Sequence, residues 1–183
     1  METQETPVFG PVIVPTAIEP SERPLAISLI IDISRSSYGS KRMIEFFKSA
    51  LVSKFSNMEY DNVLLLNSEI YEDPGQAVAA ISEHFYPVRR FAACMNEAVR
   101  SLMHVDRLYR RRIVLLTDQF DSVDVSVVNG AIHKNQTVLS DIEFCAVAFG
   151  PKYSRTILEC FWGQMIQVGE PSEIESVIKE VCS

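Results

Sequence analysis

Apolar and polar residues alternate along this chain in two periods. The run Leu25–Ile31, LAISLII, is rich in Ile and Leu and stops abruptly in polar groups at Asp32, Ser34 and Ser36. A continuous apolar run of this length predicts a strand buried on both faces, as in the centre of a parallel sheet. Similar runs at 63–66, 111–118, 143–150 and 164–169 predict four more strands. Between them the spacing changes. Met43, Phe46, Phe47, Ala50, Leu51 and Phe55 recur at helical intervals, with Lys41, Glu45, Lys48 and Lys54 on the other side. Helices are also predicted over 75–85, 92–105, 153–162 and 171–182, the last with Pro171 at its first position and acidic residues in its first turn. The segment 123–134 is ambiguous, because its many valines oppose the helix its position asks for.

The predicted order is β-α-β-α-α-β-α-β-α-β-α. Strands alternating with helices imply an α/β fold, a doubly wound, Rossmann-like sandwich with a mostly parallel central sheet and helices on both faces. Residues 25–183 suit one such domain. Residues 1–24 read as an extended arm, because they hold Pro7, Pro11, Pro15, Pro20 and Pro24, five of the nine prolines. Val8, Phe9, Val12, Ile13 and Val14 favour docking of that arm, on its own domain or on a neighbouring chain in an assembly.

The formal charge of −7 argues against general nucleic-acid binding. Arg107, Arg110, Arg111 and Arg112 form the one basic cluster, read as a solvated loop in preference to a phosphate site. No apolar run is long enough to span a membrane, the first residues lack the pattern of a secretory signal, and the four cysteines form no CxxC pair. A cytoplasmic protein with reduced thiols is the resulting expectation. No P-loop, dinucleotide or nucleophile-elbow signature occurs, and His84, His104 and His133 fall in or beside predicted helices. The chain is therefore read as a non-enzyme. The alternative is a metal-assisted phosphohydrolase using Asp32, but Ser34 stands where such an enzyme needs its second aspartate.

Candidate chemistry gathers at the carboxyl ends of two strands, where open α/β sheets bind ligands. Asp32 ends the first and Asp118 ends 111–118, while Ser34 and Ser36 follow at alternate positions. Two carboxylates and two hydroxyls are hard oxygen donors of the kind Mg²⁺ takes. Capping of the next helix is the other use for the two serines.

The Asp-x-Ser-x-Ser after the first strand and the Leu115-Leu116-Thr117-Asp118 ending a later one resemble a von Willebrand factor A (vWA) domain over about 25–182. The resemblance implies a metal-ion-dependent adhesion site, in which Mg²⁺ or Mn²⁺ is held at the top of the sheet and a partner's Asp or Glu completes its coordination. By position, Asp32, Ser34, Ser36 and Asp118 would be the ligands. This chain departs from the family in three places. The threonine ligand, expected from the loop 86–96, falls near Ala93, and no threonine occurs between Thr16 and Thr117. Gln119 replaces a frequent glycine. Arg89 and Arg90 bring positive charge where a dication should sit. The expected function is protein–protein interaction at the carboxyl edge with degenerate or weakened metal dependence. Contacts would come from Arg35, Ser37, Tyr38, Arg89, Arg90, Gln119 and Phe120. The remaining alternative is a structural subunit of a larger assembly.

Overall fold

The structure, a computed structural model, describes residues 23–31, 62–65, 70–71, 76, 79, 90–117, 122–134, 142–149, 163–168 and 173–181. They build strands β1 (Leu25–Ile31), β2 (Asn62–Leu65), β3 (Ile70–Tyr71), β4 (Arg110–Thr117), β5 (Ile142–Phe149) and β6 (Gln164–Val168). The helices among them are α1 (Phe91–Met103), α2 (Ser122–Lys134) and α3 (Ile174–Val181). Gln76 and Ala79, within the predicted helix 75–85, are helical and exposed. The predicted helices around 43–55 and 153–162, and the arm up to residue 22, lie outside the described residues.

The strands form one six-stranded sheet in the order β3-β2-β1-β4-β5-β6. Every pairing is parallel except β2 with β3. This is the expected doubly wound α/β architecture, with one addition. The apolar segment read as a single strand is followed by the two-residue antiparallel β3, which is too short to leave a period in the sequence.

From Ala26 to Ile31, β1 is at most 2% exposed, so the central strand is covered on both faces. On one face Ala26 and Ile30, Ile113 and Leu115 of β4, and Phe144 and Ala146 of β5 meet α1 and α2. Helix α1 fits this face because Phe91, Cys94, Met95, Ala98, Val99 and Leu102 are buried at helical spacing. Helix α2 forms despite its β-branched residues because Val125 and Val128, three apart, reach the same core. On the opposite face Arg112 of β4 donates from Nη1 to the Val181 carbonyl at the end of α3, whose Ile178 and Val181 are buried.

The turn from α1 into β4 is closed by local hydrogen bonds. The Leu108 amide donates to Asp106 Oδ1 at 2.9 Å, and the Arg110 amide donates to the Pro24 carbonyl at 2.8 Å. That second bond ties the start of β4 to the start of β1. The basic cluster is not the solvated loop expected of it, since Arg110, Arg111 and Arg112 lie within β4. Arg112 binds Glu143 through Nε at 2.8 Å and Nη2 at 2.5 Å, and Arg110 Nη2 reaches the same carboxylate at 3.1 Å. Arg111, 7% exposed, donates from Nη2 to the Val105 carbonyl at 2.7 Å. Of the four arginines only Arg107 is exposed, in the turn before β4. The Glu143 carboxylate and the Val105 and Val181 carbonyls accept from these guanidinium groups, while Arg111 Nε is buried without a hydrogen-bond partner among the described residues.

Candidate functional site at the carboxyl edge

β1 and β4 are adjacent and parallel, with Ile31 beside Leu116 in register. From β1 the chain goes to β2 on one side, and from β4 it goes to β5 on the other. The boundary between β1 and β4 is therefore the topological switch point, the place where such sheets open a crevice at their carboxyl ends. Asp32 is the residue after the last of β1, and Asp118 is the residue after the last of β4. Asp32, Ser34, Ser36 and Asp118 themselves lie outside the described residues, as do Arg35, Ser37, Tyr38, Arg89, Gln119 and Phe120.

Helix α1 directs its first turn towards this edge. Its last residue, Met103, is joined to Arg110 at the amino end of β4 by six residues. Thirteen helical residues rise about 20 Å, close to the length of a central strand. Its amino end must then lie near the carboxyl ends of the strands. Arg90 is the N-cap, exposed, with φ −110 and ψ 48 and no side-chain capping bond. The first turn carries no acidic residue, and Ala92 and Ala93 are exposed. The amide groups there gather partial positive charge that nothing in the first turn's own side chains offsets.

This arrangement corrects the expected loop. Residues 91–96, the second part of the expected loop 86–96, are the first half of α1, with Arg90 as its N-cap. Phe91 is 5% exposed and packs in the core. Ala93, matched to the family's threonine, is the third residue of that helix and offers a methyl group where the family supplies an oxygen.

A buried acid on the same side of the sheet escaped the sequence reading. Asp124 is 3% exposed in the first turn of α2, which starts five residues after β4 ends. A carboxylate is stabilised there by the helix amides, and an Asp just inside a helix start was the available signal. Thr117, the last residue of β4, is fully buried. Among the described residues no cluster of three or more His, Cys, Asp or Glu could hold a metal.

Two perturbed groups lie away from this edge. Burial alone would raise the Glu143 carboxyl, but hydrogen bonds from Arg112 and Arg110 outweigh it and hold its pKa below the usual range. Burial pushes the Cys145 thiol up to about 11, which leaves it protonated and inert at neutral pH.

No sequence-family model and no curated protein sequence matches the chain. Its fold does match solved structures. A von Willebrand factor type A protein from Catenulispora acidiphila superposes with TM-score 0.62 at 14% identity, covering 87% of this chain and 42% of that one. The SpRpn10 VWA domain superposes with TM-score 0.58 at 12% identity, covering 86% and 95%. The pilus adhesin SpaC from Lactobacillus rhamnosus GG, in its open conformation, gives TM-score 0.60 at 13% identity, covering 87% and 30%. The chain thus spans less than half the length of the first and last of these and nearly all of the second. At such identities the likeness establishes a vWA-like fold. Among the described residues no helix is long and apolar enough to cross a membrane.

Proposed function

We propose that this chain is a protein-interaction module of vWA type that takes an acidic side chain of its partner at the carboxyl edge, between β1 and β4, with weakened dependence on a divalent metal. The observation that carries this reading is the first turn of α1. The Arg90 side chain makes no capping bond to it, no acidic residue lies within it, and exposed Arg90 stands at its head, near the switch point. Such a turn attracts a carboxylate with or without a metal. The vWA-like fold of the structural neighbours supports the same edge.

The donor set suits Mg²⁺ or Mn²⁺ in kind, with Asp32 and Asp118 as carboxylates and Ser34 and Ser36 as hydroxyls. It is one oxygen short, because Ala93 supplies only a methyl group. Mg²⁺ keeps waters readily, so the shortfall weakens binding rather than forbidding it. When bound, the ion would supply a Lewis-acidic contact to the partner's carboxylate. Arg89 and Arg90 would compete with it for the same acid.

Two measurements test the reading. Calorimetric titration of Mg²⁺ and Mn²⁺ is expected to give weak, saturable heat that Asp32→Ala abolishes. Peptide-library selection on the purified chain is expected to enrich Asp- or Glu-containing sequences that Arg90→Glu rejects. Peptides without an acid, or equal binding by both proteins, would overturn the proposal.

A further inference from the structure

Exposed apolar side chains gather at one turn. Three large ones are exposed among the described residues, and two of them, Met103 at 46% and Leu108 at 61%, flank the connection from α1 to β4. That connection is compact. The Val105 amide donates to the Leu102 carbonyl at 3.3 Å, and the Tyr109 amide donates to the Asp106 carbonyl at 3.1 Å. Val105 and Tyr109 turn inwards and pack against the core, whereas Met103 and Leu108 stay outside it. The turn precedes the first residue of β4, so it lies at the amino edge, the opposite end of the sheet from Asp32 and Asp118. This end is also basic. Among the described residues, the four arginines 107, 110, 111 and 112 face two carboxylates, Asp106 and Glu143, and at the end of α3 Lys179 offsets Glu180. The whole chain, by contrast, carries a net charge of −7.

The arm leaves the domain at the same place. Leu25 lies beside Arg110 in register, and the Pro24 carbonyl accepts from the Arg110 amide at 2.8 Å. Leu108 is two residues from that amide. We propose that residues 12–18 of the arm, VIVPTAI, fold back over the turn between α1 and β4 and cover Leu108 and Met103. The segment offers four branched aliphatic side chains and no charge. Its tether, residues 19–23, extends to at most about 18 Å. Two residues of chain and one step across the ladder place Leu108 within about 12 Å of Pro24, so the tether is long enough. Charge selects the same occupant. Residues 1–22 hold Glu2, Glu5, Glu19 and Glu22 and neither Lys nor Arg. Docking would set Glu19 and Glu22, at the tether, beside exposed Arg107. A second copy would instead bring its own −7 against this one, while a tether this short keeps the chain's own arm at an effective concentration on the order of mM. The contact leaves the carboxyl edge free, so the arm and an acidic partner can be held together at opposite ends of the sheet.

The test uses the whole chain, isotopically labelled for nuclear magnetic resonance. Nuclear Overhauser contacts are expected from the Leu108 and Met103 methyl groups to Val and Ile methyl groups of residues 12–18, with backbone order parameters in that segment above about 0.8. Leu108→Asp sets a carboxylate beneath an apolar segment flanked by acids, and should drop those order parameters below about 0.6. Circular dichroism checks that this exposed substitution leaves the fold intact. Ile18→Asp should release the arm from the other side, and the two substitutions together should do no more than either alone, as for residues in one contact. An equal mixture of labelled and unlabelled chains should show no contacts between different molecules. Order parameters below about 0.6 in the parent, an arm that stays ordered in both variants, or contacts between molecules in the mixture would overturn the proposal. The first of these would leave Met103 and Leu108 to a different protein, and the last to a second copy.

Discussion

Ser28 sits in the middle of β1, fully buried, with its Oγ lacking a hydrogen-bond partner among the described residues. It is on the same face as Ala26 and Ile30, the face covered by α1. A buried hydroxyl without a partner costs about 1–3 kcal/mol of desolvation that no bond returns. Ser28→Ala removes that cost and leaves a cavity of one heavy atom, worth roughly 0.3–0.5 kcal/mol at about 24 cal/mol per Å³. The net expectation is stabilisation by about 1 kcal/mol, or a Tm rise of about 2–4 °C for a domain of this size. Urea denaturation should show a higher midpoint with an unchanged slope, which places the gain in the folded state. Ser28→Val should act in the opposite sense, losing about 1–3 kcal/mol, because the added methyl groups have to fit beneath α1. Destabilisation of 1 kcal/mol or more by Ser28→Ala would refute the argument, since it would mean that the hydroxyl has an acceptor.

Other perturbations read other parts of the same sheet. Arg112, whose side chain is 14% exposed, joins β4 to Glu143 and to the carbonyl that ends α3. Arg112→Ala should cost about 1–3 kcal/mol and lower hydrogen-exchange protection in α3 before the rest of the sheet. Glu143 is 47% exposed, so Glu143→Gln should cost under about 1 kcal/mol. Its folded pKa is depressed, so its contribution is present above the unfolded carboxylate value, about 4.3, and is lost as pH falls through the folded value. Urea midpoints of parent and Glu143→Gln should therefore converge in acid. Cys145 works in the alkaline direction. Its folded thiol holds its proton to about 11, whereas the unfolded thiol gives it up near 8.5, so stability should fall as pH rises between those values. Cys145→Ala should remove that alkaline loss, and in the folded parent Cys94 and Cys145, both buried, should resist alkylation at pH 8 until denaturant is added.

The parts of this fold that were legible in the sequence are those that local pattern alone determines. β1, β4, β5 and β6 fall within a residue of their apolar runs, because a strand buried on both faces must be apolar at nearly every position. α1 was legible because six core contacts recur at one spacing. α2 was ambiguous because its helicity is decided by the core it covers, which the valines do not announce locally. The basic cluster was misread for the same reason. Arg112 looks solvated until Glu143, 31 residues away, and Val181, 69 residues away, are brought beside it. Asp32 and Asp118 could be singled out because each follows the end of an apolar run. Ala93 fell both in the helix predicted over 92–105 and in the loop 86–96 that the resemblance implied, and the helical spacing was the sound guide, because α1 starts at Phe91.

Strand order is the property that no local pattern contains, and it decides where function can reside. Placing β1 beside β4 makes their carboxyl ends the switch point and brings the start of α1 towards it. The antiparallel β3 lies two places from that point, so the described strands that frame the crevice are parallel and all end their apolar runs on the same side. A carboxylate that follows the last residue of β1 and another that follows the last residue of β4 are thereby brought to one edge, although 86 residues separate them in the sequence.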